Sequence, residues 1–443
     1  MINPRRKLFK WIEPSLLAKK LTNDFGEDGL IWLDGDGTDN GRWATMAVEP
    51  LEQICSHGSP TDASSANPFN LLRSIRPGHW TGWLSYEAAA WIEPLNPWKK
   101  DSMATLWMAR HDPVLKLDLQ KKELWLEGCN DKRFIQMEKW LEGIDLKDKQ
   151  INQTLSTTTL RGIPIESWEW LTPKNQYQKS VKTIKNWIQK GDIFQANLST
   201  CCVNKKPLNS MAIDFFIKLR KTCPSPFSGL IVGSNETTGE AIISTSPERF
   251  LEVLPNGEIE TRPIKGTRPR SSNYQKDADM AADLISSPKD RSENIMIVDL
   301  LRNDLGKVCQ PGSIYVSELL ALESYSKVHH LTSVIKGNLQ ENKTWVDVLE
   351  ASWPGGSISG APKLRACQRL HELEPMARGP YCGSLIHLNW DGKFDSNILI
   401  RSLMMNRNTL RVHAGCGIVA DSEPEHEAEE LNWKLIPLLK ALE

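Results

Sequence analysis

No stretch of this chain approaches the ~20 consecutive apolar residues that a helix needs to cross a bilayer, so no membrane-spanning segment is expected. The basic start, Met1-Ile-Asn-Pro-Arg-Arg-Lys, is followed by Trp11-Ile-Glu-Pro where a secretory leader would carry its apolar core, and no leader is expected either. The chain lacks a CxxC pair and the Cys/His spacing of a zinc site. Its nine cysteines are scattered singly, apart from Cys201-Cys202, as reduced thiols in a cytoplasmic protein would be. Neither G-x-G-x-x-G nor a P-loop is present, so a nucleotide cofactor is not indicated. An excess of charge of one sign is missing as well. The 54 Lys and Arg stand against 55 Asp and Glu, for a formal net charge of -1. That balance gives no electrostatic reason to expect nucleic acid or an anionic membrane as partner. Internal repeats and low-complexity tracts are absent.

What remains is a chain of 443 residues, 40% of them hydrophobic, long enough for one large domain or two to three smaller ones. Tryptophan is abundant: 17 residues, ten of them before residue 141, expected to pack an apolar interior with a few free to line a ligand pocket. Residues 1–145 read as β-leaning structure with turns, for example 30–33 ahead of Asp34-Gly-Asp-Gly-Thr-Asp-Asn-Gly. That loop has a calcium-loop flavour, but Thr38 and Thr45 occupy positions that an EF-hand fills with oxygen-rich ligands, so a hairpin loop is expected. Residues 146–165 are polar and Thr-rich and read as a linker to a second region, 166–443. There the pattern predicts a helix over 174–190 stopped by Gly191, strands at 193–199 and 241–244, a hairpin pairing 249–253 with 258–262, and an amphipathic helix over 292–305 with a Ser-capped acidic start.

The residues able to carry chemistry concentrate in that second region. Pro263-Ile264-Lys265-Gly266-Thr267 sets a lysine on a Pro/Gly-bracketed turn. A buried ammonium loses hydration, its pKa falls, and the amine becomes a nucleophile. Taken alone, Lys265 reads first as a solvated turn residue, because Lys is rarely buried. Glu427 and Glu430 stand three apart in a helical segment, with Lys434 one turn beyond. Asp290 and Glu293 repeat the spacing at a helix start. Two such pairs suit one Mg²⁺, which takes one or two carboxylates, waters and an anionic substrate oxygen. By spacing alone they also suit a solvated face and a helix dipole. Pro354-Gly-Gly-Ser-Ile-Ser-Gly-Ala-Pro-Lys363 offers backbone N–H groups to an anion, and His413-Ala-Gly-Cys-Gly417 offers close backbone approach, though both also read as ordinary tight turns. Glu248, His330, Tyr381 and Arg401 sit beside apolar strands. An arginine in Ile398-Leu-Ile-Arg401 needs a buried acid or a ligand carboxylate to offset its desolvation.

In order and wording these segments resemble the chorismate-utilising enzymes, the anthranilate synthase component I family, which also includes aminodeoxychorismate, isochorismate and salicylate synthases. The resemblance runs from about residue 170 to the C-terminus through Gly191-Asp-Ile-Phe-Gln-Ala-Asn-Leu-Ser, Ser246-Pro-Glu-Arg-Phe, Pro263-Ile-Lys-Gly-Thr, Asp290-Arg-Ser-Glu-Asn, Ser359-Gly-Ala-Pro-Lys and Gly417-Ile-Val-Ala-Asp-Ser. Residues 1–145 resemble the family's more variable half. The resemblance implies an α+β fold, with antiparallel β-sheets packed at steep angles, helices outside and the active site between. It implies Mg²⁺ on Glu293 and Glu430 with Glu427 beside them, the ion binding the ring carboxylate of chorismate. Glu248 is implied as the acid that protonates the departing C4 hydroxyl. Tyr381, Arg401 and the backbone at Gly415 and Gly417 are implied as the clamp on the enolpyruvyl carboxylate. Lys434 and the Ser359-Gly360 turn are implied as further anchors, Thr267 as a pocket wall, and His330 as an active-site histidine without an assigned role.

Within the family, Lys265 separates the branches. Members that form anthranilate typically carry Ala there, and members that aminate chorismate at C4 carry Lys. In the latter branch the amine is held to attack C2 and expel the C4 hydroxyl, after which ammonia attacks C4 and releases the lysine. Pro354-Gly-Gly-Ser, Cys382-Gly-Ser and Asp395-Ser-Asn agree with that branch. Gln195 stands where water-using members have a lysine base, and Tyr381 where some C4-aminating members have Trp. No segment resembles a glutaminase, so a separate glutamine amidotransferase supplying ammonia is implied. So is a downstream aminodeoxychorismate lyase, on the route to 4-aminobenzoate and folate. Trp32-Leu-Asp-Gly replaces the Leu-Leu-Glu-Ser-type tryptophan-binding segment of feedback-regulated anthranilate synthases, so inhibition by tryptophan is not expected. Anthranilate formation is the nearest alternative, isochorismate formation a more distant one, and a catalytically silent scaffold the non-enzymatic one.

Overall fold

In the strand Phe227–Val232, Leu230 and Val232 face one apolar core and Ile231 faces another. Its neighbour Glu240–Ser246 repeats the arrangement, with Ala241 and Ile243 on one side and Ile242 on the other. Strands buried on both faces are written as nearly continuous apolar runs rather than as an alternation. The sheet they centre is therefore covered twice.

The computed structural model describes residues 3–145, 162–208, 210–325 and 327–443. Among these, the strands form antiparallel sheets of twelve and ten strands. The larger runs from Arg5–Phe9 through Ile31–Asp34, Phe227–Val232, Glu240–Ser246, Thr409–Ile418 and Gln195–Lys205 to Gly360–Ala361. The smaller runs from Ile264–Pro269 at one edge, through Arg249–Val253 and Trp80–Leu84, to Glu52–Ser56 at the other. One face of the larger sheet packs on the helices Pro14–Phe25, Lys174–Gln189, Ala212–Thr222 and Pro424–Leu442, through residues such as Leu17, Val181, Phe216 and Leu435. The other core holds Ile242 and Met404 from the larger sheet together with Trp83, Trp107 and Ile386 from the smaller one. Trp32, Trp80, Trp83 and Trp107 are fully buried, and Trp83 stacks on Trp107 at 5.2 Å. Each such ring removes roughly 200 Å² from water, about 5 kcal/mol before the cost of ordering it.

The first 145 residues supply strands to both sheets. Ile31–Asp34 pairs with Phe227–Val232, and Trp80–Leu84 with Ser384–Leu388. The two sequence regions thus share their sheets. Residues 146–161 of the expected linker lie outside the described residues. The loop after Asp34 joins two antiparallel strands, as expected of a hairpin. The 174–190 helix and the 249–253 hairpin strand are also found.

Two expectations change. The amphipathic helix spans Pro288–Gly306 and is capped by Ser287, whose side chain accepts from the N–H of Asp290; Pro288 at its first position has no N–H to satisfy. Lys265 lies on an edge strand, Ile264–Pro269, and not on a turn. That strand is bulged: Ile264 faces Thr332 and Thr267 faces His330, so one extra residue is accommodated between them. Gly266 makes the bulge possible. Its φ is +85°, and a Cβ there would stand 2.7 Å from Leu284 Cδ1 and 2.9 Å from Asp290 Cβ. No helix among the described residues is long and apolar enough to cross a membrane.

Candidate active site

The bulge turns Lys265 inward. The residue is 9% exposed, and its ammonium donates to the carbonyl of Ser357 at 2.8 Å. Glu248, just ahead of the strand Arg249–Val253, reaches the same corner. Burial pushes its carboxyl up to about 7, against the opposing pull of the Ser357 hydroxyl, the Lys265 charge and the Ile264 N–H. The backbone around it is pinned: Ser246 Oγ donates to Ile398 O at 2.6 Å, and Ile398 N donates to Glu248 O at 3.1 Å. The Lys265 ammonium and the raised Glu248 carboxyl thus meet at one serine.

The carboxylates come from two helices. Glu293 lies in the second turn of Pro288–Gly306; Glu427 and Glu430 lie in the C-terminal helix Pro424–Leu442. Burial raises the Glu293 pKa, while Lys265 and Lys289 oppose that rise. Lys434 holds half-buried Glu430 down at about 2, through the expected one-turn ion pair of 2.8 Å. Glu427 Oε1 accepts from Lys289 at 2.7 Å, whereas its Oε2 is buried without a partner. Carboxylate oxygens of Glu427 and Glu430 lie within 4.8 Å of each other and of Cys416 Sγ. Gln195 donates to Glu293 at 3.4 Å from the neighbouring strand. Gly417 is the floor: a Cβ there would come within 2.7 Å of Gln195 Nε2 and 3.0 Å of Glu293 Oε2. Gly415 is equally confined, its absent Cβ 2.8 Å from Leu198 O. Several carboxylates, one with an orphaned buried oxygen, suit a small hard cation that keeps some of its waters, so Mg²⁺ fits this donor set.

Arg401, His330 and Thr267 form a third group. Thr267 Oγ1 and His330 Nδ1 are 2.9 Å apart, and His330 Nε2 is buried without a partner. Burial, then the charge of Arg401, hold the imidazole at about 3, so its ring is neutral. Arg401 has φ +50° and lies beyond buried Ile398 and Leu399. Burial pulls its pKa down, and among the described residues its guanidinium has neither an ion pair nor a hydrogen-bond partner. Tyr381 is buried and stacks on His413 with ring centroids 4.9 Å apart, two residues from Gly415 along one strand.

Some expected roles shift. Asp290 accepts from Arg268 at 3.1 Å, so it is engaged away from the carboxylate cluster. The Gly/Ser segment at 354–361 is a buried corner and not an exposed cradle. The Ser359 hydroxyl donates to Gly355 O at 2.9 Å, and Gly360 packs against Gln195 O, where a Cβ would clash at 2.3 Å. Both residues shape the corner. Lys434 donates to Gly415 O at 2.8 Å as well as to Glu430. Ser357, Lys289 and Cys416 were not singled out in the sequence, although Ser357 and Cys416 lie inside segments that were and Lys289 directly precedes one. A cavity of about 400 Å³ lies elsewhere, lined by Leu33, Asp34, Trp43 and Arg249 among others, and contains none of these residues.

A buried lysine, a carboxyl near neutrality, a carboxylate cluster and an arginine without a partner among the described residues thus lie together in one part of the fold. The family model described as chorismate binding enzyme matches residues 29–440, and the chain belongs to that family. It is 41% identical over 427 residues to aminodeoxychorismate synthase component 1 of Escherichia coli (strain K12), covering 91% of this chain and 90% of that protein. It is 38% identical over 398 residues to an anthranilate synthase component I-like protein of Synechocystis sp., covering 89% and 78%. Among solved structures, anthranilate synthase component I from Streptococcus pneumoniae matches with a TM-score of 0.71 at 26% identity, covering 90% of this chain and 92% of that one. The menaquinone-specific isochorismate synthase of Escherichia coli shares the fold, with a TM-score of 0.74 at 16% identity over 100% of this chain and 94% of that one. The chain is a chorismate-utilising enzyme with the expected α+β fold.

Proposed function

We propose that the chain is the synthase component that aminates chorismate at C4, giving 4-amino-4-deoxychorismate for 4-aminobenzoate and folate synthesis. The observation that carries this reading is Lys265, buried and joined to Glu248 through Ser357. Among the described residues the ammonium has one hydrogen bond, to the Ser357 carbonyl, and no ion pair, which is little return for burying a lysine. The Lys265 amine, in its neutral form, attacks C2 of chorismate, the ring double bond shifts, and Glu248 gives its proton to the leaving C4 hydroxyl, which departs as water; the adduct nitrogen then returns a proton to Glu248. Ammonia attacks C4, the ring electrons shift back, and the lysine amine leaves C2, taking the proton that the new C4 nitrogen sheds. Arg401 binds the enolpyruvyl carboxylate with its open guanidinium fork, and Tyr381 packs the same end. Glu293, Glu430 and Glu427 would hold Mg²⁺, which supplies charge to the ring carboxylate when bound.

Ammonia comes from a separate glutamine amidotransferase, and the product passes to an aminodeoxychorismate lyase. The two named relatives in the C4-aminating and anthranilate-like groups make the choice of product the decisive test. The pure chain is incubated with chorismate, Mg²⁺ and ammonium, with and without the lyase. 4-Aminobenzoate that forms only with the lyase is the expected result. Anthranilate fluorescence without the lyase overturns the reading, and product formed without any ammonia source points to isochorismate.

A further inference from the structure

On the opposite edge of the smaller sheet from Lys265, a second set of donor atoms converges. Cys55 lies on the edge strand Glu52–Ser56, and His57 follows directly after it. Glu236 comes from the 3-10 turn Asn235–Thr237, which links two strands of the larger sheet. One ligand atom from each of Cys55, His57 and Glu236 lies within 4.8 Å of the others. We propose that Cys55, His57 and Glu236 form a zinc-type divalent metal site, distinct from the carboxylate cluster.

Three observations support it. Cys55 Sγ and His57 Nδ1 are 3.5 Å apart. A tetrahedral zinc, with Zn–S near ~2.3 Å and Zn–N near ~2.0 Å, spaces those two atoms about 3.5 Å apart. The other ring nitrogen faces a carboxylate: His57 Nε2 lies 3.8 Å from Glu240 Oε1. A carboxylate behind the far nitrogen selects the tautomer that leaves Nδ1 free to ligate, as in carboxylate–histidine–zinc arrangements. The supports are themselves held. Glu240 Oε2 accepts from Ala104 N at 2.9 Å, and Ser234 Oγ donates to Gln53 Oε1 at 2.9 Å, fixing the turn against the strand. Cys55 and His57 are half-buried and Glu236 is exposed, so an ion has access and water can take the fourth position. Thiolate, imidazole and carboxylate together select zinc over magnesium.

Cobalt(II) is the probe, because a cobalt–thiolate bond adds a charge-transfer absorption. One equivalent added to the full chain, with chorismate and Mg²⁺ absent, is expected to give that band and tetrahedral d–d absorption, both displaced by one equivalent of zinc. Cys55→Ser removes the band. His57→Ala and Glu236→Gln, exposed enough to leave the fold intact by circular dichroism, weaken cobalt binding. Glu240→Gln weakens it about 10- to 100-fold without being a ligand. No band in the wild-type chain overturns the site. So does a band that survives Cys55→Ser or is lost in Cys416→Ser, which places the metal on another thiol.

Discussion

Arg378 and Arg401 are both set into apolar surroundings, and their neighbours treat them in opposite ways. Arg378 is 2% exposed and fully used: Nε and Nη2 donate to Glu374 at 2.9 and 2.8 Å, Nη2 also donates to Asn197 O at 2.7 Å, and Nη1 donates to Ile358 O at 2.8 Å. Glu374 in turn accepts from the N–H and hydroxyl of Ser199. This corner ties the strand Gln195–Lys205 to the segment that presents Ser357. Arg401 has no such partner among the described residues. A satisfied buried charge holds a scaffold, and an unsatisfied one waits for a ligand of opposite charge. The orphaned oxygen of Glu427 belongs with Arg401 in the second group, and so, among the described residues, do Lys265 and Glu248, which are hydrogen-bonded at Ser357 but make no ion pair.

If that division is right, mutations in the two groups separate activity from stability. Glu248→Gln, which cannot donate a proton in the same way, lowers kcat by roughly 10²- to 10⁴-fold with the fold retained, measured by steady-state rates beside a melting curve. Arg378→Ala strands Glu374 in the interior and costs about 3–5 kcal/mol of stability, read from denaturant unfolding; unchanged stability would break the comparison. Arg401→Ala removes a charge-assisted contact worth roughly 1.5–3 kcal/mol, so KM for chorismate rises about 10- to 100-fold while the melting temperature holds or rises. A fall in melting temperature would place Arg401 with Arg378. The smallest effect is in pH. Glu248 titrates at about 7, so kcat falls as pH rises through that value, and Glu248→Gln flattens this limb. The stability sign agrees: the folded protein holds this proton more tightly than the unfolded chain, so the contribution is complete below the ordinary value of 4.5 and is lost as pH rises through about 7.

The motifs that meet at the candidate site were legible because each is a short run of chain. Helical spacing placed Glu427, Glu430 and Lys434 on one face, and the structure returns the 2.8 Å pair between the last two. The apolar flank of Arg401 announced a charge that needs a buried acid or a ligand carboxylate, and among the described residues no acid pairs with it. Lys265 was harder: its segment reads as a turn, and only pairing with Val328–Asn338 shows it to be a bulged edge strand. Ser359 and Asp290 looked available in sequence because their partners, Gly355 O and Arg268, follow from the folded corner and not from spacing. The Cys55, His57 and Glu236 cluster was invisible, since Glu236 stands far along the chain and arrives through a turn of the other sheet. Composition also did not show that strands of residues 1–145 complete both sheets.

The central claim is that Lys265 bonds covalently to the substrate. The most direct measurement is intact-protein and peptide mass spectrometry of the chain incubated with chorismate and Mg²⁺ in the absence of ammonia. A mass increase of one chorismate less one water, mapped to the peptide that holds Lys265 and absent from Lys265→Ala, is the predicted result. No adduct, together with an unchanged rate and product in Lys265→Ala, would contradict it.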